Sequence, residues 1–490
     1  MVELELKFRV PPEVLDGLRA ALLQHGARPL ALKARYFDTA DGRLAAHGMA
    51  LRLRREDGDW VQTLKALGSS AVSRLEHEVS VPCEPDAEPV LDVQRHAGTA
   101  PGEALLQLLA GLEGGAQALV ERQRIDVTRL RCPVRDAAGT EIEAALDEGQ
   151  VRAAGREQAI VELELEHLRG PLAGLFGLAE AWVAHGGLSL CSTPKSLRGE
   201  RLWQNQVPLA PTRMPRLPHH PDGDALMRGV LQALLDTLLA HASEVAEGCC
   251  EPERVHQLRV ALRRLRTALR ELAALCPALD PAWDAVLAQT FGALGLQRDA
   301  DVLAQSVQPL LQAAGAPLAL CRPALAGPAP DEAVRERDFQ QVLLKLLALL
   351  HAEHPLSTAD ARAVRRHLRQ RLDRLHEQVC AAGRGFEGRP IEAQHRARKR
   401  LKRLRYLAEL VAPLWPADAL DAYLARLKPA QDALGRHNDV GMAAAAFRDE
   451  AARDPAAWFA AGYLQAHGAV TGRAARRRLR ALAQAPRFWR

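Results

Sequence analysis

Charged residues recur at every second position in segment after segment of the first 205 residues of this chain. In the opening segment Glu3, Glu5 and Lys7 alternate with apolar residues, so an extended strand would place these charges on one face. Later segments repeat the alternation with either arginine or glutamate. Strands that carry both signs of charge on one face can close into a barrel with a charged interior, and about eight strands leave room for one small ligand. We therefore predict a charged tunnel, with an open sheet bearing surface salt bridges as the alternative.

The periodicity changes near residue 205. Residues 206–221 are rich in proline and follow no period, which is typical of a linker. Beyond them apolar residues recur at helical spacing, and a chain of 490 residues is too long for one core. Within the first part, short helices are predicted at about 12–25, 102–112 and 171–186. We predict an α+β multidomain protein, with an antiparallel β tunnel over residues 1–205 and an all-α domain over residues 222–490.

Charge is distributed unequally between the two parts. Residues 1–210 hold 24 Lys and Arg against 30 Asp and Glu, a net charge of −6, whereas residues 211–490 hold 41 against 30, a net charge of +11. The basic part is therefore expected to face an anion. Aromatic residues make up only 4% of the chain, which argues against binding single-stranded nucleic acid by base stacking.

Cysteine usage and hydropathy indicate the compartment. The eight cysteines are spread along the chain without a CxxC pair, which is typical of a reduced cytoplasmic protein rather than a disulfide framework or a zinc site. No signal-peptide pattern opens the sequence, and the longest apolar run, 342–350, is short and interrupted by Lys345. We predict a cytoplasmic protein with no membrane partner.

The second part contains an internal duplication. Two sets of four residues, 139 positions apart, share one spacing: His256, Arg259, Arg263 and Arg266, then His395, Arg398, Lys402 and Arg405. Paired leucines repeat at the same shift: Leu262 and Leu265, then Leu401 and Leu404. Each copy would thus carry a basic stripe and a leucine stripe on different faces of one helix. We predict two helical bundles, at about 222–350 and 357–490. A matching turn is predicted after each stripe, at Ala293-Leu294-Gly295 with Asp301-Val302 and at Ala433-Leu434-Gly435 with Asp439-Val440.

The duplicated basic stripes suggest a polyanionic ligand. Cations stacked at one-turn spacing repel each other, and a solvated helix face gives no reason to repeat that arrangement. A C-terminal cluster could extend the surface: Arg473, Arg476, Arg477, Arg478 and Arg480. DNA is also a polyanion, but the sequence contains no helix-turn-helix, zinc-finger or other reading motif. Sequence-specific binding of nucleic acid is therefore not predicted.

A set of short motifs in the first part resembles the CYTH family of triphosphate tunnel metalloenzymes. In order, the motifs are Glu3-x-Glu5-x-Lys7, Tyr36-Phe37-Asp38-Thr39, Leu51-Arg52-Leu53-Arg54, Thr63-Leu64-Lys65, Arg122-x-Arg124, Asp147-Glu148-Gly149, Glu162-x-Glu164 and Ser192-Thr-Pro-Lys195-Ser196. Residues from about 220 to 490 resemble a CHAD domain, a helical module of duplicated helices bearing His, Arg and Lys. The whole chain is similar to bacterial CYTH–CHAD inorganic triphosphatases.

The resemblance implies an eight-stranded antiparallel tunnel that binds triphosphate compounds with a divalent metal, Mg²⁺ or Mn²⁺. The implied metal ligands are Glu3, Glu5, Asp147, Glu162 and Glu164. The implied phosphate-binding residues are Lys7, Arg52, Arg54, Lys65, Arg122, Arg124 and Lys195. Either Lys7 or Lys65, with a lowered pKa, would be a candidate catalytic base. The eight residues of the two basic stripes are expected to bind polyphosphate.

The leading interpretation is an enzyme that hydrolyses inorganic triphosphate to orthophosphate and pyrophosphate, with inorganic polyphosphate as the partner of the helical part. A class IV-type adenylate cyclase or a thiamine-triphosphatase could use the same tunnel. A cyclase needs a nucleoside pocket, for which the sequence shows no motif. A nonenzymatic polyphosphate-binding protein is the remaining alternative, although both glutamate pairs of a catalytic tunnel are present.

Overall fold

The strands of the first part form a closed ring. The computed structural model describes residues 2–56, 58–67, 73–84, 87–136, 138–206, 208–295, 307–317 and 327–490, without the side chains of residues 2, 3, 67, 73 and 74. Its strands are β1 (Val2–Arg9), β2 (Arg28–Thr39), β3 (Ala50–Glu56), β4 (Asp59–Leu67), β5 (Ser73–Val81), β6 (Leu119–Arg135), β7 (Glu141–Ala153), β8 (Arg156–Arg169) and β9 (Ser189–Leu190).

Every strand pairing in this sheet is antiparallel, in the order β5-β4-β3-β2-β6-β7-β8-β1-β9. Strand β1 also pairs with β5, with Val2 opposite Leu75 and Leu4 opposite Ser73, so eight strands close into a barrel. The two-residue β9 pairs with β1 beside this ring. The predicted eight-stranded antiparallel tunnel is confirmed, with one short additional strand, and the open-sheet alternative is wrong.

Alternation along the strands gives the barrel an outer face that is buried under helices. Phe8, Leu163 and Leu165 on this face are completely buried. The helices of the first part are α1 (Pro12–Gln24), α2 (Arg43–Ala46), α3 (Ala100–Ala110), α4 (Leu172–Gly186) and α5 (Lys195–Gln204). Helix α4 packs on β8, and α3 packs on β4 and β5. The three predicted short helices are confirmed to within two residues at each end.

The inner face of the barrel is apolar over part of its length. Leu32 and Ala34 of β2 cluster with Ile125 and Val127 of β6, and Leu202 of α5 packs against this cluster. Inward positions elsewhere on the strands carry charged side chains. Helix α5 therefore contributes to the interior of the barrel as well as following it in sequence.

The first compact unit also contains two helical segments from later in the chain. It comprises residues 1–211, 239–249 and 334–352. The later segments belong to helices α6 (Gly223–Ala246) and α11 (Arg337–Leu350). The backbone N–H of Leu190 donates to Gln340 Oε1 at 2.8 Å, and that of Ser192 donates to Ser243 Oγ at 2.9 Å. The domain boundaries drawn from the sequence stay a prediction, but these segments pack beside the residues that lead into α5.

The second compact unit, residues 212–238, 250–333 and 353–490, is helical. Its further helices are α7 (Pro252–Leu272), α8 (Ala282–Ala293), α9 (Gln308–Ala313), α10 (Pro330–Arg335, which ends in the first unit), α12 (Ala361–Gly383), α13 (Ile391–Leu410), α14 (Ala417–Glu450) and α15 (Ala457–Ala483). The equivalent helices of the duplication, α7 and α13, pack against each other. The paired leucines of both copies are completely buried: Leu262, Leu265, Leu401 and Leu404. The predicted all-α character of this part is confirmed.

The turn predicted in the second copy is wrong. Helix α14 continues through Ala433-Leu434-Gly435 and Asp439-Val440. Burial of Leu434 and Val440, together with close packing between α14 and α15, outweighs the cost of about 1 kcal/mol for a glycine inside a helix. In the first copy α8 ends at Ala293, and Asp301-Val302 lie outside the described residues. Of the helices in the described ranges, none combines the length and apolarity needed to cross a bilayer.

Candidate functional site

A cavity of about 330 Å³ lies inside the barrel, and charged side chains from seven of its eight strands line it. The cationic lining residues are Lys7, Arg52, Arg54, Lys65, Arg129, Arg131 and Lys195. The acidic lining residues are Glu5, Glu56, Glu76, Glu78, Glu143, Asp147, Glu164 and Glu166. Charged groups removed from water are stable only when opposite charges compensate them. The lining meets this requirement through ion pairs in two regions, one rich in carboxylates and one rich in cations.

Three carboxylates converge on one ammonium group. We call Asp147, Glu162 and Glu164 the carboxylate cluster. Their nearest oxygens lie 2.8, 2.8 and 2.6 Å from Lys195 Nζ. Asp147 and Glu162 are completely buried. Because Lys195 is the first residue of α5, the start of this helix delivers the ammonium to the cluster.

Lys7 lies next to the carboxylate cluster. Its Nζ is 2.8 Å from Glu164 Oε1 and 3.3 Å from Glu5 Oε1. Burial by itself lowers the pKa of Lys7, but Glu164 and Glu5 outweigh burial and raise the pKa well above its usual value. A catalytic base must be able to lose its proton near neutral pH. The suggestion that a lowered pKa makes Lys7 a base therefore does not fit its environment, and Lys7 is suited to holding phosphate as a permanent cation.

The same contacts fix the charges of the cluster. Burial raises the pKa of Glu164, but Lys195, Lys7 and Arg129 hold it well below its ordinary value. Burial lowers the pKa of Lys195, but Glu164 and Glu162 raise it well above its ordinary value. The carboxylate of Glu164 is therefore ionised and the ammonium of Lys195 is protonated at neutral pH.

Strand β6 contributes Arg129, which the sequence analysis missed. Its Nε and Nη2 donate to the two oxygens of Asp147, each at 2.7 Å, in a bidentate pair. Its Nη2 also donates to Glu164. The sequence carried a signal for this residue, since Arg129 and Arg131 alternate within the same strand as Arg124. The signal lies on odd-numbered positions, whereas the sequence analysis chose the even-numbered ones.

Arg122 and Arg124 are not brought to the cavity. A β-bulge where β6 pairs with β2 leaves Arg122 with no residue of β2 opposite it. Beyond the bulge, the odd-numbered residues of β6 therefore point into the barrel. Arg122 is buried, with its Nη2 3.0 Å from Glu200 and its guanidinium 4.8 Å from the ring centroid of Trp203. Arg124 lies on the exposed side, paired with Glu121. The assignment of Arg122 and Arg124 to phosphate binding is corrected accordingly.

The opposite region of the cavity is a cationic wall, defined as Arg52, Arg54 and Lys65. Arg52 Nη2 lies 3.7 Å from both Glu76 Oε1 and Glu78 Oε1, and Arg54 Nη2 lies 3.5 Å from Glu78 Oε1. Lys65 Nζ lies 2.5 Å from Glu76 Oε2. Arg54 Nη2 also lies 3.0 Å from Glu56 Oε2. The guanidinium contacts with Glu76 and Glu78 are longer than the contacts within the carboxylate cluster, so these carboxylates can be exchanged for phosphate oxygens.

The two basic stripes of the second unit face each other. Arg259 and Arg263 of α7 stack on Phe291 of α8, with guanidinium carbons 4.6 and 5.1 Å from the ring centroid. Helices α7 and α13 are in contact, and burial, with the charges of Arg263, Arg398 and Arg259, lowers the pKa of Lys402. We call Arg259, Arg263, Arg398 and Lys402 the cation cluster. The duplication therefore brings cations from both copies to one place.

The outer members of the stripes have local partners. These contacts join Arg266 Nε to Asp284 Oδ1 at 2.8 Å, Arg405 Nε to Glu409 Oε1 at 2.7 Å, and His395 Nδ1 to Asn438 Oδ1 at 2.9 Å. His256 is half-buried on α7. Of the stripe residues predicted from the sequence, the four of the cation cluster are thus the ones drawn together.

Burial, with the charges of Arg263 and Arg398, lowers the pKa of Lys402 to about 6, although Asp439 acts in the opposite direction. Without a bound anion, Lys402 is therefore mostly neutral at neutral pH. An anion placed in the cluster would restore its proton.

Family models match both parts of the chain. The CYTH domain model matches residues 1–199 and the CHAD domain model matches residues 229–448. The chain is a CYTH domain followed by a CHAD domain. The CYTH family contains triphosphatases and adenylate cyclases, and the barrel described above lies within the stretch that its model matches.

Relatives extend over either the whole chain or one domain. An uncharacterised protein of Mycobacterium tuberculosis is 27% identical over 494 residues, covering 89% of this chain and 86% of the relative. The inorganic triphosphatase of Haemophilus influenzae is 30% identical over 213 residues, covering 42% of this chain and 56% of that enzyme. The crystal structure of the CHAD domain from the plant Ricinus communis is 27% identical, covers 57% of this chain and 98% of that chain, and has a TM-score of 0.47.

Within the CYTH domain, only some of the metal ligands implied by the resemblance lie close together. Asp147, Glu162 and Glu164 meet at Lys195, and Glu5 reaches them through Lys7. The backbone of Glu3 pairs with that of Arg74, and its side chain lies outside the described part of the chain.

The donors present suit a hard divalent cation, because Mg²⁺ and Mn²⁺ prefer carboxylate oxygens. In the described ranges, no group of three His, Cys, Asp or Glu side chains is arranged to hold a metal ion. The point where three carboxylates do converge is taken by Lys195 Nζ. The donor chemistry therefore fits a metal, and a metal at this point would compete with the ammonium of Lys195.

The CYTH domain contains a second row of carboxylates, in which Glu143 and Glu166, left out of the site by the sequence analysis, stand beside Glu5. Glu5 lies directly opposite Glu166, and Glu166 lies directly opposite Glu143 in the β1, β8 and β7 register. All three line the cavity. Their positions in alternating strand segments were visible in the sequence. Their place beside one another could be read only from the register.

Proposed function

We propose that the CYTH domain hydrolyses inorganic triphosphate to orthophosphate and pyrophosphate with the help of Mg²⁺ or Mn²⁺. The observation that carries the proposal is one cavity lined both by Asp147 and Glu164 of the carboxylate cluster and by the cationic wall. A triphosphate carries about four negative charges near neutral pH, by extension from phosphate monoesters. Phosphoryl transfer depends chiefly on positioning and charge neutralisation, which this cavity is equipped to supply. The match to the Haemophilus influenzae inorganic triphosphatase supports the same reaction.

Each group has a distinct proposed role in this reaction. Arg52, Arg54 and Lys65 bind phosphate oxygens, exchanging the carboxylates of β5 for the substrate. Lys7 and Lys195 hold the same chain of phosphates from the side of the carboxylate cluster. A divalent metal held by that cluster would neutralise phosphate charge and activate water for in-line attack. Arg129 orients Asp147 and Glu164 through its pairing with both.

Tripolyphosphate should be a better substrate than ATP. The cavity of about 330 Å³ is lined largely by charged side chains, which favour phosphates over a nucleoside. We expect kcat/KM for tripolyphosphate to exceed that for ATP by about tenfold or more. A panel with Mg²⁺ or Mn²⁺ should compare tripolyphosphate, ATP and thiamine triphosphate, measuring phosphate, pyrophosphate and cyclic AMP. Cyclic AMP formed faster than tripolyphosphate is hydrolysed would decide for the cyclase alternative.

We further propose that the CHAD domain binds inorganic polyphosphate through the cation cluster. Cations from two helices lie close together here, two of them over an aromatic ring, and Asp439 is the acidic neighbour that acts on Lys402. Such a concentration of positive charge favours a ligand with many negative charges. Regularly spaced phosphates supply such charges, and the binding should weaken steeply with salt. We also propose that the protein is cytoplasmic, as its cysteine usage predicts.

Polyphosphate binding should take up a proton at Lys402. Its pKa of about 6 in the free protein rises when phosphates surround it, so affinity should increase as pH falls from 8 towards 6. We expect the affinity to change by about three- to tenfold per pH unit, where tenfold is the limit set by the uptake of one proton. Calorimetry at pH 7.5 in two buffers of different ionisation enthalpy measures this uptake. Lys402→Arg, which stays charged, is the control, and an unchanged pH dependence in that variant would contradict the assignment.

A further inference from the structure

Arg198 of α5 lies between two carboxylates from distant parts of the chain. Its Nη2 is 2.5 Å from Glu162 Oε1 and 3.1 Å from Glu247 Oε1. The same nitrogen donates to Cys191 Sγ at 3.3 Å. The side chain of Arg198 is 6% exposed, that of Glu162 is 0% exposed and that of Glu247 is 12% exposed. One guanidinium therefore joins Glu247 to a buried member of the carboxylate cluster.

The orientation of Glu162 depends on two partners. Lys195 Nζ lies 2.8 Å from its Oε2 and Arg198 Nη2 lies 2.5 Å from its Oε1. A completely buried carboxylate cannot exchange these partners for water without a large cost. A change at Arg198 therefore acts directly on Glu162, which is one of the three carboxylates that contact the ammonium of Lys195.

Arg198 is fixed in turn by Glu247. Burial by itself lowers the pKa of Arg198, but Glu162, Cys191 and Glu247 raise it above its ordinary value, so the guanidinium stays charged between its acidic neighbours. Glu247 follows α6 directly and belongs, with residues 239–249, to the first compact unit. Its sequence position lies within the stretch matched by the CHAD domain model, whereas Arg198 lies within the stretch matched by the CYTH domain model.

We propose that Glu247 is a positioning residue for the reaction in the barrel, holding Arg198 so that the buried Glu162 keeps its place beside Lys195 in the wall of the cavity. The proposal rests on the proposed triphosphatase activity. It means that a side chain from the CHAD region completes the site of the CYTH domain. A CYTH site of this chain is therefore fully built only when residues 239–249 are present.

The structure offers a matched control three residues away. Glu244 pairs with Arg201 of α5 at 2.6 Å, so it also links the end of α6 to α5. Among the described residues, neither Glu244 nor Arg201 lines the cavity. Arg201 also lies near Glu247, with Nη1 3.9 Å from Oε2, so the two acidic residues hold α5 in closely similar ways. A general loss of packing between α6 and α5 would appear in both variants, whereas a positioning effect would appear in only one.

The test uses the full chain and tripolyphosphate hydrolysis. Glu247→Ala should lower kcat about tenfold with KM changed less than twofold, a size typical of residues that orient catalytic ligands. Glu244→Ala should change both constants less than twofold. Glu247→Gln keeps an oxygen that can accept a hydrogen bond from Arg198, so it should recover at least half of the lost kcat. Glu247→Met, which fills the same space without such an oxygen, replaces the alanine variant if that variant unfolds, with the same expected loss of kcat.

A double-mutant cycle separates a direct effect from one transmitted by Arg198. In an Arg198→Met background, Glu247→Ala should lower kcat less than twofold further, because its route to Glu162 is already removed. If the loss of kcat in the double variant is the product of the two single losses, the two residues act independently and the proposal is overturned. Equal losses of kcat in the Glu247 and Glu244 variants would also overturn it. A wild-type protein that releases no phosphate from tripolyphosphate would instead refute the proposed function.

Discussion

Glu164→Gln should reduce phosphate release from tripolyphosphate by at least about 100-fold while the protein stays folded. Glu164 contacts Lys195 at 2.6 Å and Lys7 at 2.8 Å, and it also accepts from Arg129. Replacing its carboxylate by an amide removes the negative charge and one of the two oxygens proposed to bind the metal, and it takes a shared anion from Lys195, Lys7 and Arg129. Steady-state phosphate release with Mg²⁺ or Mn²⁺, together with a thermal melt, measures both consequences.

Glu148→Gln is the matched control for this change. Glu148 lies on the opposite face of β7, where it pairs with Arg19 of α1 at 2.7 Å. We expect its activity to stay within twofold of the wild type, since it does not line the cavity. Chelation of the metal should abolish activity in the wild type and in this control. Activity that survives both chelation and Glu164→Gln would remove the basis for a metal-dependent triphosphatase.

Removing the cation cluster should weaken polyphosphate binding by the full chain by about 100-fold at low salt, because several phosphate contacts are lost together. The variant replaces Arg259, Arg263, Arg398 and Lys402 by Gln. Its affinity should also depend less steeply on salt than that of the wild type. Tripolyphosphate hydrolysis should remain within a fewfold of the wild-type rate. Titration with long-chain polyphosphate over a series of salt concentrations gives both quantities.

A control with at least as large a loss of charge comes from α12. Its exposed arginines Arg362, Arg366, Arg369 and Arg374 can be replaced by Gln together, which removes four positive charges at a different place, whereas Lys402 in the cation cluster is mostly neutral in the free protein. If both quadruple variants lose affinity to the same extent, the binding is a general charge effect and the cation cluster has no special role. Duplex DNA titrated in parallel provides the comparison of ligands, and equal affinity for DNA would also reduce the claim to general anion binding.

The sequence predicted the architecture because two periodicities are strong in it. The alternation of charge in segments such as those of Arg52 and Glu164 required a shared polar face, and closure of the sheet buried that face. The helical part was equally clear from its duplication. The assignment of residues 239–249 and 334–352 to the first compact unit was not predictable, because both segments have the same helical period as the rest of the second part.

Most of the residues of the site were predicted correctly, but the strand positions of two arginines and the charge state of one lysine were not. Eight of the twelve residues assigned to metal or phosphate line the cavity: Glu5, Lys7, Arg52, Arg54, Lys65, Asp147, Glu164 and Lys195. Arg122 and Arg124 were misassigned because one extra residue in β6 exchanges its inward and outward positions, and no local pattern shows that slip. The charge state of Lys7 was also not predictable from the sequence, since it depends on the distances to Glu164 and Glu5 in the folded chain.

Closure of the barrel has a consequence for association with other chains. A strand at the end of an open sheet presents unpaired N–H and C=O groups on which another polypeptide can add, and natural sheets must protect such edges. Here β1 pairs with β5 as well as with β8, so each of the eight long strands has a neighbour on both sides. Among the described strands, only the two residues of β9 end the sheet. The barrel can therefore keep many hydrogen-bonding strands with little unpaired edge, although in the described pairings β5 beyond Leu75 is paired on the β4 side alone.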